Sequence, residues 1–167
     1  LHPDMHALWI HPNNPDILYV GTDGGIYRSI DKGITWIFNQ NLPVGQFYHV
    51  AHDLEKPYHV YGGLQDNGSW MAPTAAPGGI STDSWDRLNG GDGFWTKPDV
   101  DGQTVYAEYQ GGHMSRVNKL TMKSEDIQPK QTQQDEDLRW NWNTPIVTGT
   151  ANPKNLYTGS QYLYKST

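Results

Sequence analysis

Short apolar runs alternate with polar turn clusters along the whole chain. Residues 7–10, 47–51, 94–96 and 145–147 are apolar enough to form strands. A turn-forming cluster follows each run, at 11–16, 53–58, 98–103 and 151–155, rich in Pro, Asn, Asp and Gly. After each cluster stands a tetrad of apolar residue, Tyr, any residue and a mostly small one, carried by Tyr19, Tyr61, Tyr106 and Tyr157. A loop and another short run come next, at 26–29, 69–72, 114–117 and 163–166. The tyrosines recur about every 40–50 residues, a period at which several short strands make one repeating unit. Such a unit is a small antiparallel sheet that cannot bury both faces alone and packs against its neighbours. A β-sandwich would show strands without this self-similarity.

The expected fold is therefore all-β: a partial β-propeller of about four consecutive antiparallel blades. Its blades fall at residues 1–42, 43–89, 90–138 and 139–167 of a single domain. The fourth breaks off early, so the chain reads as a piece of a longer propeller, with the remaining blades of that parent as its partners. Residues 128–137, polar throughout, read as a solvated, mobile loop.

Composition sharpens this picture. Among 167 residues, 7 Trp, 10 Tyr, 18 Gly and 11 Pro favour short strands and tight turns over helices. No apolar run is long enough to span a membrane as a helix. Cysteine is absent, so no disulfide or thiolate metal site can form. With a net charge of −6 and its basic residues scattered singly, the chain lacks the clustered cations that bind nucleic acid.

The sharpest local pattern reads S-x-D-x-G-x-T-W: Ser29, Asp31, Gly33, Thr35 and Trp36. Asp31 can accept backbone N–H groups within the turn, and Gly33 permits positive φ. The pattern resembles the Asp box of BNR-repeat propellers, the superfamily of sialidases, sortilin-like receptors and xyloglucanase-like hydrolases. In that family the box is a structural turn outside a blade, so the resemblance makes these five residues structural. Residues 82–85 and 124–127 look like remnants of the box, and 164–167 like the start of another. The runs 46–67, 90–95 and 140–145 are similar to large secreted bacterial BNR-repeat proteins labelled glycosyl hydrolases. The resemblance implies an extracellular or periplasmic location.

Up-and-down strands sort the loops onto two faces. The box lies between strands 3 and 4. A site on the opposite face would draw on the 2–3 loops (22–25, 65–68, 109–112, 160–161) and the inter-blade loops (2–6, 43–46, 89–93, 139–143). These segments and their neighbours carry carboxylates (Asp23, Asp66, Asp92, Glu108), amides (Gln46, Gln65, Gln110, Asn143) and aromatics (Tyr48, Trp95, Tyr109, Trp140, Trp142).

Aromatic platforms beside carboxyls suit carbohydrate, and a glycosidase needs two carboxyl groups about 5–10 Å apart. Asp66 and Asp92, from adjacent blades, are the candidate catalytic pair. Gln65, Trp95, Tyr109, Trp142 and Asn143 are candidate ligand contacts. Each of Asp66 and Asp92 precedes or neighbours a Gly, so each also reads as a plain turn residue. The four arginines do not supply the cluster a sialidase requires. A non-catalytic propeller binding a peptide or glycan remains the alternative. No cofactor is expected. His2, Asp4 and His6 alternate as H-x-D-x-H, a spacing that would place three metal ligands on one side of a strand, but local hydrogen bonding is the favoured reading and no metal site is assigned. His11, His49, His52, His59 and His113 show no ligand spacing and read as surface or strand residues.

Overall fold

The computed structural model describes residues 1–42, 44–131 and 137–166. The chain forms two compact units, Leu1–Gly45 and Gln46–Thr167.

The first unit is one four-stranded antiparallel sheet, blade 1, in the order β1 (Met5–Ile10), β2 (Leu18–Thr22), β3 (Gly25–Ser29), β4 (Ile37–Phe38). Between β3 and β4 the chain is held by side chains. The Asp31 carboxylate accepts the Thr35 N–H at 2.9 Å, the Thr35 hydroxyl at 2.6 Å and the Ser29 hydroxyl at 2.8 Å. Ser29 Oγ accepts the Gly33 N–H at 2.8 Å. Gly33 sits at φ +86°, where a Cβ would also press within 3.3 Å of the Trp36 ring.

Thr35, through hydroxyl and backbone, and then Ser29 hold the Asp31 carboxyl below its ordinary range. Its contribution to stability is therefore present above the ordinary carboxylate pKa and is lost as pH falls through the native one. In Asp31→Ala, hydrogen exchange across residues 29–36 should be faster at pH 7 and lose its acid response. Unchanged exchange would refute this role.

The second unit contains three sheets. Blade 2 runs β5 (Phe47–His52), β6 (His59–Leu64), β7 (Gly68–Pro73), β8 (Asp86–Asn89). Blade 3 runs β9 (Gly93–Pro98), β10 (Thr104–Tyr109), β11 (His113–Asn118), β12 (Ser124–Asp126). In blade 4, β13 (Val147–Thr148), β14 (Leu156–Gly159) and β15 (Leu163–Ser166) pair among the described residues. Neighbouring strands pair antiparallel in chain order. The two remnant sequences part ways here. Thr82–Ser84 is a turn of 3-10 helix ahead of β8, whereas Ser124–Asp126 is itself the outer strand of blade 3. The turn in that blade lies earlier, where Asn118 Oδ1 accepts the N–H groups of Leu120 and Thr121. The polar loop 128–137 and the final box start fall partly on 132–136 and Thr167, outside the described residues.

β10 shows how one blade serves two cores. Successive side chains on a strand point to opposite faces. Val105 and Ala107 join Tyr61, Met71, Leu88 and Val117 between blades 2 and 3. Tyr106 packs on Met114, Ile146 and Leu156 between blades 3 and 4. Each fully buried apolar side chain of this kind contributes about 1.5–3 kcal/mol.

Two of the repeat tyrosines have a second task. The Tyr61 hydroxyl donates to Asp53 at 2.6 Å, and the Tyr106 hydroxyl to Asp99 at 2.7 Å. Each ties the strand to the turn just before it. Burial and the Asp99 contact push the Tyr106 hydroxyl up to about 12.

Candidate functional site

In blades 2–4 the 2–3 turns and the inter-blade loops meet by a repeated hydrogen bond. The turn glycine donates its N–H to a carbonyl on the loop entering the next blade: Gly68 to Gly91 at 2.8 Å, Gly111 to Trp142 at 3.1 Å. Each such bond places a turn of one blade beside the entry of the next.

The two candidate carboxylates meet at the first junction. Asp92 Oδ1 accepts the backbone N–H of Asp66 at 2.6 Å. The Asp92 N–H donates to Gln110 Oε1 at 2.7 Å, and the Gln110 N–H returns to the Asp92 carbonyl at 3.2 Å. Gly91 sits at φ +67°, where L side chains are strained, and a Cβ there would meet the end of the Gln110 side chain. Asp66 occupies φ +59°, a left-handed conformation Asp tolerates at a cost of roughly 1–2 kcal/mol. Bond lengths then keep the two carboxyl carbons within about 8 Å of each other. Gln65 precedes Asp66 in the turn; its N–H donates to Gln46 and its carbonyl accepts the Asn67 amide.

A second set forms where blades 2, 3 and 4 enter. The Trp95 indole N–H donates to Asn143 Oδ1 at 2.7 Å, and Asn143 Nδ2 lies 3.2 Å from His49 Nε2. His49 and Trp95 stack at 4.0 Å. Three first-strand or entry segments thus converge on one amide. Trp142, next to that amide, is 60% exposed. Tyr109 closes β10 and stacks on His113 at 4.9 Å.

Glu108 does not join this surface. It is fully buried. Its position on β10 alternates with Ala107 and so turns it toward blade 4, where Thr144 donates a backbone N–H to Oε1 at 3.2 Å. Burial pushes its carboxyl up to about 8, against the backbone N–H groups of Thr144, Trp95 and Gly112. His2, Asp4 and His6 are not gathered as three ligands either. Strand pairing shifts between Met5 and Ala7, a bulge that breaks the alternation at His6, and the His6 ring goes to Asp23 at 2.5 Å.

One polar cluster escaped the sequence reading. Asp53 accepts the Tyr61 hydroxyl, the His59 N–H at 2.8 Å and the His59 ring at 3.0 Å. Lys119, from the β11–β12 turn of blade 3, reaches Asp53 at 3.3 Å, Glu55 at 2.7 Å and the Tyr61 hydroxyl at 3.1 Å. The potential ligand atoms of Asp53, Glu55 and His59 lie within 4.8 Å of one another, and the Lys119 ammonium pairs with both carboxylates. Burial by itself would raise the Asp53 carboxyl, but Tyr61, the two backbone N–H groups and Lys119 outweigh it and hold it far below the carboxylate range. Two signals were in the sequence: the Asp in the turn before a repeat tyrosine, and His59 six residues after it.

No protein-family model matches the chain, and no curated protein matches it. Among solved structures, the chain is similar to the GH74 xyloglucanase from Xanthomonas campestris, at 17% identity and a TM-score of 0.50 over 96% of this chain and 28% of that one. It is also similar to an ancestral GH74 enzyme, at 15% identity and a TM-score of 0.46 over 98% of this chain and 22% of that one. The chain therefore spans about a quarter of the length of these structures. At such identity the first likeness bears on fold alone. Together with the four antiparallel sheets, it makes the chain a partial β-propeller of about four consecutive blades.

Proposed function

We propose that this chain is part of a secreted or periplasmic propeller of the Asp-box repeat type that acts on polysaccharide, with Asp66 and Asp92 as its acid and base. The observation that carries the reading is the contact between them. A carboxylate of blade 3 and a carboxyl-bearing turn of blade 2 share one hydrogen bond, which holds their carboxyl groups no more than about 8 Å apart, inside the upper limit of about 10 Å for the pair a glycosidase uses. Trp142, Trp95 with Asn143, Gln65 and Tyr109 supply the rings and amides that would hold a sugar chain. The xyloglucanase likeness makes β-glucans the first substrates to try. Among the described residues no helix is long and apolar enough to cross a membrane.

Asp92→Asn keeps an oxygen to accept the Asp66 N–H, so it removes the chemistry and spares the turn. In the protein carrying this chain, Asp66→Asn and Asp92→Asn should each lower xyloglucan hydrolysis by roughly 100-fold or more. Hydrolysis at the parental rate in the double variant would remove the assignment.

One observation favours a second reading. The Asp92 carboxylate is already occupied in bracing a backbone turn. A non-catalytic, sortilin-like propeller binding a peptide or glycan on the same loops would use it in that way. Retention on a glycan array or a peptide library without any hydrolysis would select this alternative.

A further inference from the structure

We infer that Glu108 is a buried pin that holds the ligand-facing segment Trp142–Thr144 against blade 3, and that its ionisation loosens this segment and so regulates the candidate site by pH. The inference rests on the reading of that segment as ligand-facing.

The geometry is that of a junction. Glu108 stands on the face of β10 opposite Val105 and Ala107, at the contact between blades 3 and 4. Its carboxyl and the Thr144 it binds are both wholly buried. The backbone N–H groups acting on it come from the three pieces that build the site: Trp95 on β9, Gly112 in the β10–β11 turn, and Thr144 on the entry to blade 4. Thr144 is bonded in sequence to Asn143, the amide that receives the Trp95 indole and meets His49. Releasing Thr144 therefore frees the group on which three blades converge.

Among the described residues no cation pairs with the buried carboxyl. On the strands and entry segment beside it the titratable groups include Tyr106 on its own strand, Lys97 on β9, His113 and Arg116 on β11, His49 on β5 and Arg139 ahead of blade 4, and His113 pairs with Tyr109 on the other face of the sheet. Among the described residues none forms an ion pair with Glu108, and Arg116 is committed to Glu125 at 2.6 Å. Oε2 has no hydrogen-bond partner among the described residues. A neutral carboxyl keeps Oε1 as an acceptor for the N–H groups and is tolerated in this interior. A carboxylate is not, and the least costly relief is to open the irregular segment that carries Thr144 and admit water. Because burial raises this carboxyl, the segment is closed on the acid side and opens as pH rises through about 8.

Hydrogen exchange by mass spectrometry on the protein carrying this chain reads the pin without any ligand. After correction for intrinsic rates, peptides spanning 140–146 should exchange at least tenfold faster at pH 9 than at pH 6.5, while the outer strands of blades 2 and 3 change little. Glu108→Gln keeps the acceptor oxygen and removes the charge, so its exchange should be flat with pH. A flat response in the parent, or the same response in Glu108→Gln, overturns the inference. Should Glu108→Gln fail to fold, infrared carboxyl absorption of the parent decides. A protonated carboxyl band that persists at pH 6.5 and disappears by pH 9 supports the pin, and its absence at pH 6.5 overturns it. Retention of xyloglucan at the two pH values is a separate arm. Failure to bind at either pH counts against the site, whereas the exchange response alone decides the pin.

Discussion

Gly63→Ala should destabilise the second unit by roughly 3 kcal/mol or more, lowering its melting temperature by on the order of 10 °C. Gly63 lies in β6 of blade 2, directly against the start of β9 in blade 3. A Cβ there would fall 2.2 Å from the Gly93 carbonyl carbon, 2.3 Å from its oxygen and 2.5 Å from the Phe94 nitrogen. All three are backbone atoms, so no rotamer change relieves the clash. The same holds in return, because a Cβ on Gly93 would lie 2.5 Å from the Gly68 carbonyl. Two blades meet here backbone to backbone, and a side chain on either must wedge them apart. Asp66 sits between Gly63 and Gly68, and Asp92 just before Gly93, so the wedge would also stretch the Asp66–Asp92 hydrogen bond. Gly21→Ala is the control: its added Cβ would make an ordinary 3.7 Å contact with Ala7 and should leave the first unit near its parental stability. Equal melting of Gly63→Ala and the parent would show that the blades are not in such close contact.

Lys119→Met is the second large effect, a loss of about 3 kcal/mol at neutral pH. The Lys119 ammonium is nearly buried, as is the Asp53 carboxylate. Burial disfavours that ammonium, but Glu55, Tyr61 and Asp53 more than offset it and hold its pKa above the usual lysine range. Removing the ammonium leaves a buried carboxylate with only its neutral donors. The native Asp53 carboxyl ionises well below its unfolded value, so its contribution is present above about pH 4 and fades as pH falls toward the native value. The difference between parent and variant should therefore narrow in strong acid. Arg116→Met is the contrast. Arg116 and Glu125 pair at 2.6 Å but are 53% and 67% exposed, and such a pair contributes about 0–1 kcal/mol. Urea unfolding of the two variants at pH 7 and pH 3 tests the ranking. Equal losses from both, or a Lys119→Met deficit that does not shrink in acid, would show that burial of the cluster does not matter.

Particular residues show how much of this could be read along the chain. Tyr61 and Tyr106 mark second strands because a period of alternating side chains and turn residues is a local property. So do Val105 and Ala107, which face one core while Tyr106 faces another. Strand positions and the all-β class follow from such neighbours in sequence. The same alternation already placed Glu108 on a strand face, yet naming it among the site's carboxylates was a misreading. Whether that face meets solvent or blade 4 depends on residues about 36 positions away, where Thr144 donates to it. His59 read as a plain strand residue for the same reason, since its cluster is completed by Lys119 from the next blade.

The linear pattern of this protein determined its strands, its turns and the repeat of one small sheet, because these depend on steric preferences and hydrophobic period within a few residues. It also assigned Asp66, Asp92 and Asn143 to loops expected on one face, and Trp95 to the strand that follows one of them. Tertiary structure alone decided which of those loops touch, that Asp92 grips the Asp66 backbone, that Asn143 receives the Trp95 indole, and that Glu108 is sealed away from water. Those outcomes depend on glycines letting one backbone rest against another across blades, and on the desolvation that close contact imposes.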